Sequence, residues 1–259
     1  MKESGAAERR TIADMHAEVA ATPGAIGHAA IDTIRRCTYV FVGNAMELKA
    51  HLESLQDPAL ALPVMSNAPE YEENGERFDR ELVRRLQNFL SAAKSLVDLT
   101  RNIVDRMYPE GELRDEYNRL AKDFATNARR RLVQQLRNYV LHNRLPPTSG
   151  RLSFTREAEG FAMETRILLD PEQLLRHWKK WDEPVRQLLE SGVELDLLEL
   201  VNEYLDQVAE LYLWLYEAQI REHKDDIEAT NALIEEFQRQ VGQPPEWDPP
   251  RSASASGTT

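Results

Sequence analysis

Apolar residues recur at every third or fourth position through most of this chain, the spacing of one buried face on a helix. Over 76–107 the run is Phe78, Leu82, Leu86, Phe89, Leu90, Ala93, Leu96, Val97 and Ile103, which predicts one long amphipathic helix. Pro109-Glu110-Gly111 stops it. The spacing resumes over 112–143 through Tyr117, Ala121, Ala125, Ala128, Leu132, Leu136, Tyr139 and Val140. This second long helix must end before Pro146-Pro147, because the residue preceding a proline avoids the α region. So short a connection between two long helices makes them an antiparallel pair. Residues 29–55 also read as helical, one helix or two, interrupted near Gly43-Asn44. The β-branched and aromatic patch 38–42 would suit a short strand, but Gly43 ends it and its flanks are helical.

Strict alternation, the mark of a strand, is convincing in one place. Leu152 and Phe154 alternate with Arg151, Ser153 and Thr155; after Glu157-Ala158-Glu159-Gly160, Phe161, Met163, Thr165, Ile167 and Leu169 alternate in turn. The pattern predicts a β-hairpin over 151–169. Asp170-Pro171 then opens a helix to about residue 190, and a last helix runs over 194–239. Within it Leu211-Tyr212-Leu213-Trp214-Leu215-Tyr216 is apolar all round, which predicts central burial. Pro58, Pro63 and Pro69 mark 57–75 as a surface loop. Residues 1–28 read as a flexible N-terminal segment and 242–259, with their prolines and Ser/Gly ending, as a disordered tail. The expected architecture is all-α: one helical-bundle domain over 29–241, with long antiparallel helices and a small hairpin insertion.

Composition narrows the functions. The chain has 259 residues, 32 Lys+Arg against 44 Asp+Glu, and a net charge of −12, so its surface as a whole does not attract nucleic acid or anionic membranes. The one cysteine, Cys37, excludes an intrachain disulfide and zinc sites built from several thiolates, and it reads as a small buried residue. No apolar run approaches the roughly 18 residues of a membrane helix, and the polar N-terminus lacks the apolar core of a signal peptide. A cytoplasmic protein without a membrane partner is expected. Spacings for a carboxylate-bridged di-iron bundle, a zinc metalloprotease, a phosphate-binding Gly-Lys loop and a nucleophile elbow are all missing, so neither metal nor cofactor is expected.

Charge is unevenly spread. Between Asp123 and Glu157 there is no acidic residue and no lysine, but seven arginines: 129, 130, 131, 137, 144, 151 and 156. Either they form a local phosphate-attracting surface or they pair with acids on neighbouring helices. On a helix turning about 100° per residue, Leu132, Leu136, Tyr139 and Val140 make the core stripe. Arg137 then lies on one flank, Asn138 and His142 on the other, and Leu141 between them, facing away from the core. An apolar residue there predicts a second buried surface, another helix or another subunit. Arg130, Arg137 and Arg144, spaced by sevens, form a basic edge. Arginine grips a phosphodiester, histidine moves protons near neutral pH, and an amide orients either. Those groups suffice to cut RNA without a metal. Each has a plainer use: His142 suits a helix C-terminus through the macrodipole, and Arg137 suits a solvated face. His177-Trp178-Lys179-Lys180-Trp181 is the other basic-aromatic cluster; it could stack on a base, although tryptophans so spaced are more often core.

Arg137-Asn138-Tyr139-Val140-Leu141-His142, at the end of a long helix, resembles the signature of the HEPN ribonuclease family: Arg, four to six residues of which the first is usually Asn, Asp or His, then His. The following Asn143-Arg144-Leu145-Pro146 is similar to the continuation in that family's phage-defence and toxin-like branches. The resemblance implies a helical bundle that forms a homodimer with two motifs at one cleft. It also implies metal-independent endoribonuclease activity leaving a cyclic phosphate and a 5′-hydroxyl. Carried onto this chain, His142 is general base or acid, Arg137 the phosphate ligand and Asn138 the orienting residue. Arg130, Arg131 and Arg144 bind RNA, and Leu141 meets the partner subunit. An antitoxin or defence-system protein is a further implied partner. The alternatives are a non-catalytic helical interaction protein that assembles through Leu141, and a nucleotide-binding or nucleotidyl-transfer accessory domain.

Overall fold

The computed structural model describes residues 11–66, 68–157 and 160–241, so the expected tail and the first ten residues of the N-terminal segment lie outside the described residues. The all-α reading holds: the described residues form ten α-helices and one three-stranded antiparallel sheet. No helix among them is long and apolar enough to cross a membrane. Where one domain was expected over 29–241, the chain folds as two compact units, one from 11–31 with 219–241 and one from 32–218.

In the first unit, α1 (Ile12–Ala20) is not a loose segment. Thr11 and Asp14 form a reciprocal capping box, and α1 packs on α10 (Lys224–Val241). The start of α2 (Pro23–Glu53) also approaches α10 closely: a Cβ on Gly24 would strike the Asp226 carbonyl and the Thr230 hydroxyl. Thr230 Oγ1 donates to Thr22 Oγ1 at 2.9 Å.

In the second unit the remainder of α2 is helical, as expected, but without the interruption expected near Gly43-Asn44. Residues 57–75 are not a loop. Asp57 caps α3 (Pro58–Met65) by accepting from the Ala59 amide, and Pro58 sits in the first turn, where its missing N–H costs nothing. Helix α4 (Glu72–Met107) follows, with Leu82, Leu86, Phe89, Leu90 and Leu96 buried as the periodicity requires. The expected helix over 112–143 is two, α5 (Glu112–Thr126) and α6 (Ala128–His142). Asn127 parts them: its side chain accepts from the amides of Arg129 and Arg130, the geometry of an N-cap. The apolar spacing stays in phase across Asn127, so periodicity did not reveal the break.

The hairpin pairs β1 (Thr148–Glu157) with β2 (Gly160–Leu169), from Thr148↔Leu169 to Glu157↔Gly160. Thr165, Ile167 and Leu169 face the core, whereas Phe154 and Phe161 near the tip are exposed. A short strand that was not expected, β3 (Leu195–Asp196), extends the sheet along β2. The helix expected over 171–190 is also two, α7 (Pro171–His177) and α8 (Glu183–Glu190), because Asp182 caps α8 in the same way that Asp170 caps α7. The last expected helix divides into α9 (Leu197–Glu222) and α10. Central burial of 211–216 is only half true: Tyr212 and Leu215 are buried, but Leu213 is 62% exposed and Tyr216 is exposed too. The core gathers on Tyr204 of α9, whose ring lies within 5.9 Å, centroid to centroid, of Phe41, Phe89 and Phe124.

Candidate functional site

Helix α6 carries the Arg-Asn-x-x-x-His string, and its burial follows from its sequence. Leu132, Val133, Leu136 and Tyr139 are buried, Val133 taking the place expected for Val140, which is half-buried. That stripe fixes the helix rotation and turns Asn138 and His142 to one side. Helix α6 ends at His142, where the Asn143 amide closes on the Tyr139 carbonyl and the Asn143 side chain donates to the His177 carbonyl at 3.0 Å. The end of α6 is thereby tied to the end of α7.

The chain then crosses back beneath α6 in the extended stretch 178–182. Trp181 is buried, its indole N–H donating to the Leu174 carbonyl at 3.2 Å and its ring stacked on Tyr139. Trp178 is only half-buried and lies parallel to the His142 imidazole, with centroids 6.4 Å apart. The Lys180 ammonium sits 5.4 Å from the Trp178 ring centre. Arg131 Nε donates to Asp182 at 2.7 Å, and the Gln135 carbonyl accepts from the Asp182 amide. Gln135, Asn138, His142, Trp178, Lys180 and Asp182 together line an open recess of about 370 Å³.

Asn138 and His142 are thus brought together, as the helical spacing predicts. Arg137 does not line the recess. It lies on the other flank of α6, beyond Leu141, which is 50% exposed. The seven arginines divide between the two readings: three pair with acids, and four, Arg156 of β1 among them, have none among the described residues. Arg129 pairs with Glu199 and Glu203, Arg131 with Asp182, and Arg151 with Glu194. Arg130, Arg137 and Arg144, the edge spaced by sevens, have no acidic partner among the described residues. Arg130 lies over the Phe124 ring at 5.3 Å, and Arg144 Nη1 is 3.4 Å from His177 Nε2. Arg137 Nε is buried without a hydrogen-bond partner. Arg131, expected to bind RNA, has its charge countered by Asp182. Burial raises the Asp182 carboxyl, but the hydrogen bond from Arg131 and the helix-capping amide outweigh it and hold the group below the usual range.

Gln135, Trp178, Lys180 and Asp182 were missed as site residues, although the basic-aromatic cluster 177–181 contained the signal. The core reading is right for Trp181 and wrong for Trp178. Cys37 is half-buried, and burial pushes its thiol up, which leaves it a poor nucleophile. The Tyr139 hydroxyl is buried without a partner beneath the site, and burial, opposed by Arg144, raises the phenol as well. Tyr139→Phe is therefore expected to stabilise the protein by about 1 kcal/mol, since it removes an unsatisfied buried group. Urea unfolding checks this, and a loss of stability would show that the hydroxyl has a partner.

No known protein family, curated protein or solved structure matches this chain.

Proposed function

We propose that the protein is a metal-independent endoribonuclease of the HEPN type, acting as a homodimer in the cytoplasm, in bacterial defence or a toxin system. The observation that carries this reading is the pairing of an open recess holding His142 and Asn138 with an arginine edge that lacks counter-acids. Arginines in a folded chain usually find acids, and Arg129, Arg131 and Arg151 do. Arg137 has no acidic partner among the described residues, and a phosphate would give its guanidinium the counter-charge that those three find in the chain.

In the proposed reaction a base takes the proton of a ribose 2′-hydroxyl, and the oxygen attacks the adjacent phosphorus. The 2′-O–P bond forms and the P–O5′ bond breaks, and an acid protonates the leaving 5′-oxygen. A cyclic phosphate and a 5′-hydroxyl result. His142 serves as one of these proton carriers. Asn138 and Gln135 orient the imidazole or a phosphate oxygen, and Lys180 adds a cation beside the recess. Arg137 is supplied by assembly: a two-fold pairing across the exposed Leu141 ridge brings the Arg137 flank of one copy to the His142 flank of the other.

Purified protein is expected to cut single-stranded RNA in EDTA and to spare the same strand carrying a single 2′-deoxy residue at the cut position. Cutting at the deoxy position would overturn the mechanism. Failure to cut any RNA, alone or with cell extract, would favour a non-catalytic interaction protein. That second reading draws on α2 and α9 as well as on Leu141. Tyr39 is 81% exposed, and Val40, Met46, Leu213 and Tyr216 are exposed with it.

A further inference from the structure

A second cavity adjoins the recess, and the break at Asn127 creates it. Along one straight helix Tyr117 and Gln134 would lie about 25 Å apart. Because α5 and α6 fold against each other at Asn127, both line one open cavity of about 310 Å³, with α4 and α9 closing its sides. Two contacts hold the fold-back: Phe124 lies edge-on to Tyr204, to which the Gln134 amide also donates, and Arg131 Nη1 donates to the Ala125 carbonyl at 3.0 Å.

The walls of this cavity are aromatic and aliphatic: Tyr117, Ala121, Phe124 and Ala125 on α5, and Leu211 on α9. Its polar side is Arg130, Arg131, Gln134 and Gln135 on α6. Arg131 is neutralised by Asp182, so Arg130, without an acidic partner, gives the cavity one uncompensated positive charge. The Gln134 amide is taken by Tyr204 and the Gln135 carbonyl by the Asp182 amide. The Gln134 carbonyl and the Gln135 NH₂ have no hydrogen-bond partner among the described residues. The cavity also joins the recess: Gln135 lines both, and the Arg131–Asp182 ion pair has its arginine in one and its carboxylate in the other.

We propose that this cavity takes an unstacked nucleobase of the RNA, its phosphate held by Arg130, one step along the strand from the phosphodiester at His142. An aromatic wall for the base face, a donor and an acceptor for its edge and a lone cation for its phosphate are the elements by which single-stranded RNA is read. The inference deepens the ribonuclease reading and rests on it for the register with His142. The cavity then makes cutting sequence-dependent, since only a base that satisfies both Gln134 and Gln135 leaves neither unpaired.

Calorimetric titration with the four nucleoside 5′-monophosphates and with ribose 5-phosphate tests the cavity apart from catalysis. At least one nucleotide is expected to bind tenfold or more tighter than ribose 5-phosphate. Ala125→Trp, which fills the mouth from an exposed position, should abolish that preference, and Arg130→Gln should weaken nucleotide binding about tenfold. In cleavage, Ala125→Trp should erase the base preference beside the cut site while His142-dependent cutting persists. Equal binding of ribose 5-phosphate and nucleotides, or unchanged nucleotide binding in a folded Ala125→Trp protein, overturns the proposal. Nucleotide binding that Ala125→Trp blocks, in a protein that cuts no RNA, would keep the cavity and reject the ribonuclease reading.

Discussion

His142→Ala is expected to lower RNA cutting by about a hundredfold or more, with the helical content and unfolding midpoint unchanged. The fold does not need this side chain. His142 is exposed in the last turn of α6, and its close neighbour is the parallel face of Trp178. The proposed chemistry does need it: without a proton carrier the 2′-hydroxyl remains a weak nucleophile and the 5′-oxygen a poor leaving group. Arg137→Ala should be equally damaging, by loss of charge neutralisation at phosphorus. The two inactive variants should then rescue each other. When each Arg137–His142 pair in the cleft takes its arginine from one copy and its histidine from the other, a mixed dimer retains one intact pair of two, and an equal mixture recovers about a quarter of wild-type activity. Full activity in His142→Ala would reject the catalytic assignment. Inactive variants that fail to complement after subunit exchange would place both groups in one copy.

What was legible in the sequence was what repeats. The buried face of α4 runs from Phe78 to Val104 with Thr100 its one polar member, and in β2 the alternating Thr165, Ile167 and Leu169 are buried, joined by Leu168. Breaks were legible only where a proline or glycine disrupts the spacing. Asn127 caps α6 through its side chain while the apolar positions continue in phase, so α5 and α6 read as one helix. The start of α8 was spelled by Asp182-Glu183-Pro184, the same kind of signal as Asp170-Pro171, but it lay within a stretch already assigned to one helix. The prolines of 57–75 read as helix breakers, but Pro58 occupies the first turn of α3, where a missing N–H costs nothing. For the site, helical geometry was enough to place Asn138 beside His142 and Arg137 away from both. Trp178, Lys180 and Asp182 reach that recess through an extended crossing between two short helices, and no periodicity encodes such a crossing. The counter-acids were equally hidden, since Glu199 and Glu203 are some seventy residues from Arg129 in sequence.

Leu141→Asp is expected to convert the proposed dimer into monomer and to remove cutting with it. Leu141 is half-exposed on the single chain although its neighbours Leu136 and Tyr139 are fully buried, and Leu145 beyond it is exposed too. Replacing Leu141 therefore leaves the monomer core intact, and the aspartate is solvated when the copies are apart. In the dimer the same carboxylate would be buried twice, once from each copy, next to apolar surface. An uncompensated buried charge costs several kcal/mol, so about 3 kcal/mol per copy weakens association by more than a thousandfold. The positive edge of Arg137 and Arg144 nearby would recover part of that cost. Leu141→Lys has no such recovery and should dissociate the dimer at least as fully. Light scattering at tens of micromolar gives the mass of each form, and circular dichroism shows whether the helices survive. If the cleft needs both copies, as proposed, cutting should fall in step with dimer content across the wild type and both variants. A wild type that is monomeric at these concentrations, or a monomeric variant that still cuts at the full rate, would remove the two-copy cleft from the mechanism and return the search for Arg137's counterpart to the single chain.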